Sequence, residues 1–215
     1  MHVTIIAKAP VAGRVKTRLC PPCTLQQAAD VAAAALADTF AAVDLVAAAT
    51  GARRVLLLDG DVQSWMPTNF DVIVQRGDGL GERLHNGFVD AGPGVIIGME
   101  TPHAAQWLVQ GIDALRAGHN VLGPATDGGY WMIGLCAESM EFVDDVFRAV
   151  PMSTADTGAE QLRTLHGLGR EVTMLPTVRD LDDFDDLLAI FAERREGRLG
   201  EVAEAVMASL AAREQ

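Results

Sequence analysis

The chain has 215 residues, a formal net charge of −12 at pH 7, 49% hydrophobic residues and 21% charged residues. This balance is ordinary for a globular protein and excludes a disordered or fibrous chain. The negative charge argues against a nucleic-acid partner held through phosphate contacts. We therefore expect a single domain over residues 1–215, acting on small molecules.

The N-terminal region indicates a cytoplasmic protein. Its apolar stretch, residues 3–7, is short, and Lys8 follows that stretch instead of preceding it. A secretory signal has a longer apolar core behind a basic start. The alanine-rich region over residues 28–49 is interrupted by three aspartates, so we expect it not to cross a bilayer, and we expect no membrane partner.

Strand and helix patterns alternate along the chain. Apolar and β-branched runs predict strands at residues 3–7, 54–58, 71–75, 95–98, 120–123, 130–135 and 171–175. A capping box at Thr24 to Gln27 predicts the start of a long alanine-rich helix. Further helices are predicted at residues 81–90, 104–117, 138–148, 158–168 and 182–212. This alternation predicts an α/β fold, with a mainly parallel twisted sheet covered by helices on both faces.

A basic loop follows the first predicted strand, at the edge of the sheet where ligands bind in such folds. Arg14, Lys16 and Arg18 are spaced by two, so an extended loop would project them to the same side. Gly13 would let the backbone approach a phosphate closely. No acidic residue precedes Asp30, which favours a site for an anionic small molecule. A solvated basic loop is the alternative.

Acidic residues follow three other predicted strands. Glu100 suits a metal ligand or a base, or an acid at a helix N-terminus. Asp127 precedes two glycines, which suits a ligand-binding turn or a plain Asp-Gly hairpin. Asp180 and Asp182 would share a side of an extended segment and bind Mg²⁺ or Mn²⁺ with diphosphate oxygens, or form a solvated acidic face. The complementary basic and acidic groups favour a metal–phosphate site.

The three cysteines are interpreted as ordinary thiols. Cys20 and Cys23 have the spacing of a redox or zinc motif, but two prolines separate them and the helix cap comes later. A structural zinc site needs four ligands, and the sequence contains no second cysteine pair.

Six segments together resemble one known family. They are KAPVAGRVKTRL from Lys8, GLGERL from Gly79, GMETP from Gly98, GPATDGGYWMIGL from Gly123, PMSTADTG from Pro151 and LPTVRDLD from Leu175. They are similar to the glycosyltransferase-like proteins called arsenosugar biosynthesis glycosyltransferases, which are related to 2-phospholactate guanylyltransferase. The resemblance runs over residues 3–187 and implies the nucleotide-diphospho-sugar transferase (glycosyltransferase type A) fold.

The resemblance also implies roles for particular residues. Four basic residues would face the nucleotide phosphates, namely Lys8, Arg14, Lys16 and Arg18. Arg83 would lie near the same cleft. Glu100 would be the metal-binding carboxylate after the fourth strand, and Asp127, with Asp180 or Asp182, would support the metal or the acceptor.

The chain departs from the family at one of these positions. The family pattern reads Gly-Ser-Asp-x-Pro, whereas this chain has Met99 and Glu100. A glutamate still offers a carboxylate, but it stands one methylene further from the backbone, so the metal geometry is expected to differ.

These observations predict a metal-dependent transferase that uses a nucleotide sugar or a nucleoside triphosphate, with Mg²⁺ or Mn²⁺ as cofactor. Lys16 and Arg18 would hold the phosphates, and Asp127 would position or deprotonate a hydroxyl of a small-molecule acceptor, so Asp127 and Lys16 are the catalytic candidates. Glycosyl transfer is favoured. Nucleotidyl transfer, more specifically guanylyl transfer, and a non-catalytic nucleotide-binding module are the alternatives. The oligomeric state is open, with a homodimer as one candidate.

Overall fold

Strands and helices alternate along residues 1–213, which are the residues that the computed structural model describes. The seven strands in this part of the chain are β1 His2–Lys8, β2 Arg53–Asp59, β3 Asp71–Val74, β4 Gly94–Gly98, β5 Asn120–Pro124, β6 Tyr130–Leu135 and β7 Val172–Met174. Its α-helices are α1 Leu25–Thr50, α2 Leu80–Ala91, α3 Leu108–Arg116, α4 Val143–Phe147, α5 Thr157–Gly167, α6 Phe184–Glu193 and α7 Gly197–Ala211. Short 3-10 helices cover Thr17–Leu19, Pro102–Trp107 and Ala137–Phe142.

The strands form one sheet in the order β3-β2-β1-β4-β6-β5-β7. All neighbouring strands are parallel except β6, which is antiparallel to both β4 and β5. The mainly parallel sheet predicted from the sequence is therefore confirmed. Because β6 runs the other way, it begins at the edge of the sheet where β1, β2 and β4 end, and Tyr130 lies at that edge.

Helix α1 is packed between the sheet and the C-terminal helices. It begins at the predicted capping box, in which Thr24 accepts a hydrogen bond from the Gln27 amide. One set of its buried residues, including Leu36, joins the core under the sheet, and another set, including Val31, packs with residues of α6 and α7. By length and composition α1 is apolar enough to span a membrane, but 56% of its most apolar window is buried within the fold. A helix buried on several sides is expected to be apolar around its circumference.

The opposite face of the sheet is covered by α2, α4 and α5. Leu84 and Phe88 from α2, Phe147 from α4 and Leu165 from α5 form a third buried cluster with side chains of β4, β5 and β6. Helices on both faces, as predicted, bury the sheet and leave its edges for the loops that carry polar residues.

Three predicted helices are interrupted. The helices predicted at residues 104–117 and 138–148 each begin as a 3-10 helix and become α-helical only at α3 and α4. The helical tail breaks between α6 and α7, because Gly197 has a φ of 86° and the Asp38 carboxylate accepts hydrogen bonds from the Arg198 and Leu199 amides. This contact caps α7 from α1, a long-range relationship that local sequence patterns do not reveal.

Candidate functional site

A first cavity of about 500 Å³ opens where β1, β2 and β4 end. Its polar wall combines side chains from the ends of β1 and β2, from the loops after β1, β3 and β4, and from α2: Lys8, Arg14, Lys16, Asp59, Gln75, Asp78, Arg83 and Glu100. Apolar side chains from β1, β4 and β6 line the rest of the cavity. This size and this mixed lining are typical of a small-molecule site.

A hydrogen-bond network fixes one side of this cavity. Arg83 Nη1 donates to Asp59 Oδ2 at 2.9 Å and to Gln75 Oε1 at 3.1 Å. Gln75 Nε2 in turn donates to the carbonyls of Ala7, at 2.8 Å, and Leu57, at 2.9 Å. Arg83 therefore lies in the same cavity as the basic loop. Sequence reasoning did not identify Asp59 and Gln75 as site residues. Asp59 could have been identified, because it lies at the end of strand β2 just as Glu100 lies after the end of strand β4.

The basic loop is not extended, so the expectation that Arg14, Lys16 and Arg18 project to one side is wrong. Lys16 has a left-handed backbone conformation with a φ of 48°, and a 3-10 turn follows it. The side chains then diverge: that of Lys16 is 5% exposed, and that of Arg18 is 74% exposed.

Lys16 is directed into a group of acidic residues. Its Nζ contacts the Glu100 carboxylate, donates to the Leu181 carbonyl and lies 3.4 Å from Asp182 Oδ1. Because a buried ammonium needs compensating partners, these contacts explain why Lys16 tolerates burial. The basic loop is therefore not simply a solvated surface.

Glu100, Asp180 and Asp182 form a cluster in which each offers a carboxylate oxygen within 4.8 Å of the others. The pKa of Asp180 is raised to about 6, mainly because burial removes water from the carboxyl, and also because the charges of Asp127, Asp182 and Glu100 repel its ionised form. Several carboxylate oxygens at this spacing suit a hard divalent cation such as Mg²⁺ or Mn²⁺. The expectation that Asp180 and Asp182 share a side is confirmed.

A second cavity, of about 480 Å³, is lined by all three of these carboxylates. Its polar lining comes mainly from the β5–β6 turn and the start of β6, from the segment that leads into α5 and from the loop before α6, with Arg18 and Glu100 in addition: Arg18, Glu100, Asp127, Tyr130, Ser153, Thr154, Thr157, Asp180 and Asp182. Leu80, Glu100 and Tyr130 line both cavities. The two cavities therefore meet at these three residues, one of which, Glu100, belongs to the acidic cluster.

The turn between β5 and β6 is both a hairpin and a wall of the second cavity. Asp127 Oδ1 accepts a hydrogen bond from the Gly129 amide at 2.7 Å. Gly128 has a φ of 90°, and a Cβ there would overlap the Ala155 carbonyl oxygen. The Gly158 amide also donates to the Gly128 carbonyl at 2.8 Å. The turn thus holds residues 153–157 against the cavity, and sequence reasoning gave that segment no role in the site.

The residues proposed from the sequence divide between the two cavities. Lys8, Arg14, Lys16 and Arg83 line the first, while Arg18, Asp127, Asp180 and Asp182 line the second. Glu100 lines both. Gly13 has a φ of 77° in the basic loop but lines neither of these cavities. The cysteines are free thiols, as predicted.

One family model matches the chain. It is described as "Uncharacterized protein conserved in bacteria (DUF2064)" and matches residues 24–154, more than half of the chain. The match includes Glu100 and Asp127 and stops before Asp180. No match was found among curated protein sequences.

Among solved structures, a proposed nucleotide-diphospho-sugar transferase from Desulfovibrio desulfuricans G20 is similar, with a TM-score of 0.85 and 24% identity over 98% of each chain. Rv0371c from Mycobacterium tuberculosis H37Rv in complex with manganese has a TM-score of 0.47 and 21% identity, over 88% of this chain and 98% of that chain. CMP:2-keto-3-deoxy-manno-octonic acid synthetase complexed with CTP has a TM-score of 0.48 and 11% identity, over 89% and 98%. The first of these similarities shows a shared fold and confirms the fold expected from the sequence.

Proposed function

The chain belongs to the DUF2064 family, and from the geometry of its cleft we propose that it is a metal-dependent transferase for a nucleotide sugar or a nucleoside triphosphate, with glycosyl transfer favoured. The observation that carries this proposal is the cluster of Glu100, Asp180 and Asp182, which lines the second cavity and adjoins the first through Glu100. A transferase needs adjoining spaces for a donor and an acceptor. The nucleotide-diphospho-sugar transferase-like fold supports the proposal.

The donor would occupy the first cavity. Lys8, Arg14 and Lys16 supply positive charge there, and cationic side chains are suited to phosphate oxygens. Glu100, Asp180 and Asp182 would hold Mg²⁺ or Mn²⁺, whose positive charge stabilises a diphosphate leaving group when the ion is bound. The hydrogen bonds among Arg83, Asp59 and Gln75 would fix the part of the cavity wall that contacts the rest of the nucleotide.

The acceptor would occupy the second cavity. Asp127 would accept a hydrogen bond from the acceptor hydroxyl and take its proton as that hydroxyl attacks the donor. Four carboxylates line this cavity, from Glu100, Asp127, Asp180 and Asp182, against the single guanidinium of Arg18. With a divalent ion bound, these four negative charges still exceed the one positive charge of Arg18 and the two of the ion. Because excess negative charge repels an acceptor phosphate, the lining favours a neutral hydroxyl-bearing acceptor. This favours glycosyl transfer over nucleotidyl, including guanylyl, transfer to a phosphate.

We also propose, as parts of this function, a relation to the arsenosugar biosynthesis glycosyltransferases and a single-domain cytoplasmic enzyme that binds neither nucleic acid nor membrane. The six shared segments support the relation. The net charge of −12 and the burial of α1 on two sides support the choice of small-molecule partners.

A thermal-shift screen tests the donor and the metal together. Nucleoside triphosphates and nucleotide sugars are each added with Mn²⁺ or with EDTA. A ligand that binds only the folded state at 100 times its Kd stabilises that state by about 2.7 kcal/mol. The expected result is stabilisation by at least one nucleotide with Mn²⁺ and a much smaller effect in EDTA. Equal stabilisation in both would contradict the metal-dependent site.

The products then distinguish the reactions. Nucleoside diphosphate released from a nucleotide sugar in the presence of a hydroxyl acceptor is the expected result. Pyrophosphate released from a triphosphate would instead identify nucleotidyl transfer. Nucleotide binding with neither product, across neutral and phosphorylated acceptors, would identify a binding module.

A further inference from the structure

Lys16 is one of only two lysines in the chain, and both lysines line the first cavity. The other, Lys8, has a side chain that is 52% exposed and lies 3.9 Å from Asp59. The Lys16 side chain is 5% exposed and contacts Glu100 and Asp182. The first cavity is therefore lined by one solvated lysine, Lys8, and one buried lysine, Lys16.

The ammonium of Lys16 uses carboxylates that a divalent cation would also use. Two of the three residues of the acidic cluster, Glu100 and Asp182, are its partners. An ammonium and a metal ion cannot both approach these oxygens closely, because their positive charges repel and the carboxylate lone pairs are shared.

We propose that Lys16 occupies the cation site as an internal counter-ion, and that a divalent ion displaces its ammonium toward the donor phosphates in the first cavity. This inference rests on the proposed function for the presence of both the ion and the phosphates. It gives Lys16 two alternating positions instead of the single phosphate contact expected from the sequence.

The geometry allows this exchange without a movement of the fold. Lys16 lines the first cavity as well as contacting the cluster, and the four-carbon stem of a lysine can redirect its ammonium by rotamer changes. Its left-handed backbone, with a φ of 48°, is uncommon for a residue with a Cβ and persists only where surrounding contacts hold it. The hydrogen bond from the Leu19 amide to the Lys16 carbonyl, at 3.0 Å, helps to hold it and does not depend on where the ammonium lies.

The exchange couples the two ligands. Without the ion, the Lys16 ammonium is engaged by carboxylates and is not available to a phosphate. With the ion bound, the ammonium is released, so the ion raises the affinity for the nucleotide, and by thermodynamic reciprocity the nucleotide raises the affinity for the ion.

Amine labelling of the unmodified chain tests the displacement directly. Reductive methylation followed by mass spectrometry of peptides reads Lys16 against Lys8, which serves as the internal reference. Without metal we expect Lys16 to react much more slowly than Lys8. Saturating Mn²⁺ should raise the rate at Lys16 at least severalfold and leave that at Lys8 unchanged. If bound Mn²⁺ leaves the rate at Lys16 unchanged, the ammonium does not leave and the inference is overturned.

Calorimetric titration with Mn²⁺ alone provides the second measurement. Lys16→Met removes the internal cation, so we expect Mn²⁺ to bind on the order of tenfold tighter, or about 1.4 kcal/mol. Lys16→Arg retains the charge and should bind no tighter than the parent. Lys8→Met is the matched control, because Lys8 pairs with Asp59 outside the cluster, and its Mn²⁺ affinity should equal that of the parent.

The outcomes separate this inference from the proposed function. If Lys16→Met binds Mn²⁺ no tighter than the parent, Lys16 does not compete with the ion, and the inference fails. The proposed function would still stand if nucleotide binding by the parent requires Mn²⁺. If nucleotide binding is independent of Mn²⁺ and no form binds the ion, both fail.

Discussion

Arg18 Nη1 lies 2.9 Å from Asp182 Oδ2, although the Arg18 side chain is 74% exposed. Asp182 therefore lies between an exposed cation on one side and the buried Lys16 on the other. The exposed pair is expected to contribute little to stability, since such pairs are typically worth about 0–1 kcal/mol. Arg18 is thus free to exchange its partner for a phosphate oxygen of a donor that reaches the acidic cluster from the first cavity.

Arg18→Ala should weaken nucleotide binding without unfolding the protein. A lost charge-assisted contact to a phosphate costs about 1.5–3 kcal/mol of binding, or roughly 10-fold to 150-fold in Kd. The free energy of unfolding should change by no more than about 0.5 kcal/mol. Calorimetry and urea unfolding measure the two quantities. Arg148→Ala, which removes a surface pair with Asp145, is the control and should change neither. If Arg18→Ala binds nucleotide with the same affinity as the parent, Arg18 is not part of the nucleotide-binding site.

Glu100→Gln should weaken Mn²⁺-dependent nucleotide binding by at least about tenfold, because a cation in the cluster loses one of its charged ligands. Glu100→Asp retains the charge but shortens the reach by one methylene, so its effect should be smaller. Isothermal titration of Mn²⁺ and nucleotide measures both variants. Glu141→Gln, at an exposed position, controls for the loss of a distant charge. Identical metal affinity in the Glu, Gln and Asp forms would mean that residue 100 is not a ligand.

The raised pKa of Asp180 predicts a pH-dependent stability in metal-free protein. Between its ordinary pKa of 3.8 and its folded-state pKa of about 6, the folded protein holds a proton that the unfolded chain has released. The contribution of Asp180 to the free energy of unfolding therefore falls as the pH rises through this window, and the loss is complete above it.

Asp180→Asn should consequently be more stable than the parent in EDTA near neutral pH. We expect about 1 kcal/mol, after allowing for solvent screening of a half-buried group. The difference should shrink below pH 3.8, where the carboxyl is protonated in both states. Urea unfolding across this range measures it. Excess Mn²⁺ should stabilise the parent more than the variant, and a variant less stable than the parent in EDTA would contradict the proposed repulsion.

Asp127→Asn should abolish most turnover while nucleotide binding persists. Loss of a general base typically costs 10²–10⁴-fold in rate, whereas the Asp127 carboxylate lines the second cavity and not the first. Steady-state product release and calorimetry separate the two effects. Asp145→Asn, on the surface of α4, should retain parental turnover. If Asp127→Asn turns over as fast as the parent, Asp127 is not the general base and acts only in the turn between β5 and β6.

Gly128→Ala tests the packing of the second cavity. The positive φ and the overlap of a new Cβ with the Ala155 carbonyl should together cost about 2–4 kcal/mol of stability. Gly167→Ala is the matched control, because a Cβ at that position in α5 meets open space. That variant should be as stable as the parent or more stable by up to about 1 kcal/mol. Equal stability of the two variants would mean that residues 153–157 do not pack on the turn.

The fold was largely predictable because its signals are local. The run of apolar residues in β1 and the capping box at Thr24 are each readable within a few residues. The break before α7 was not predictable, because its N-terminus is capped by Asp38 from α1. Contacts over such separations leave no pattern in the local sequence.

The candidate site was predictable to a similar degree. Glu100, Asp180 and Asp182 were expected to meet because they follow strands whose ends share an edge, and they do lie within 4.8 Å. The burial of Lys16 was not predictable, since alternation in a loop says nothing about a left-handed residue inside it. The roles assigned to these residues, as well as the single domain and the cytoplasmic location, stay predictions.

The two cavities draw on different parts of the chain. Most of the first is built from residues before Gly98, whereas the second takes most of its lining from residues 125–182. A change in the turn before β6 or in the segment before α5 can therefore reshape one cavity and leave the other intact. If the first cavity binds the donor and the second the acceptor, as proposed, chimaeras that join the N-terminal portion of this chain to the C-terminal portion of a relative would exchange acceptor preference and retain the donor. The two specificities could then change separately in evolution.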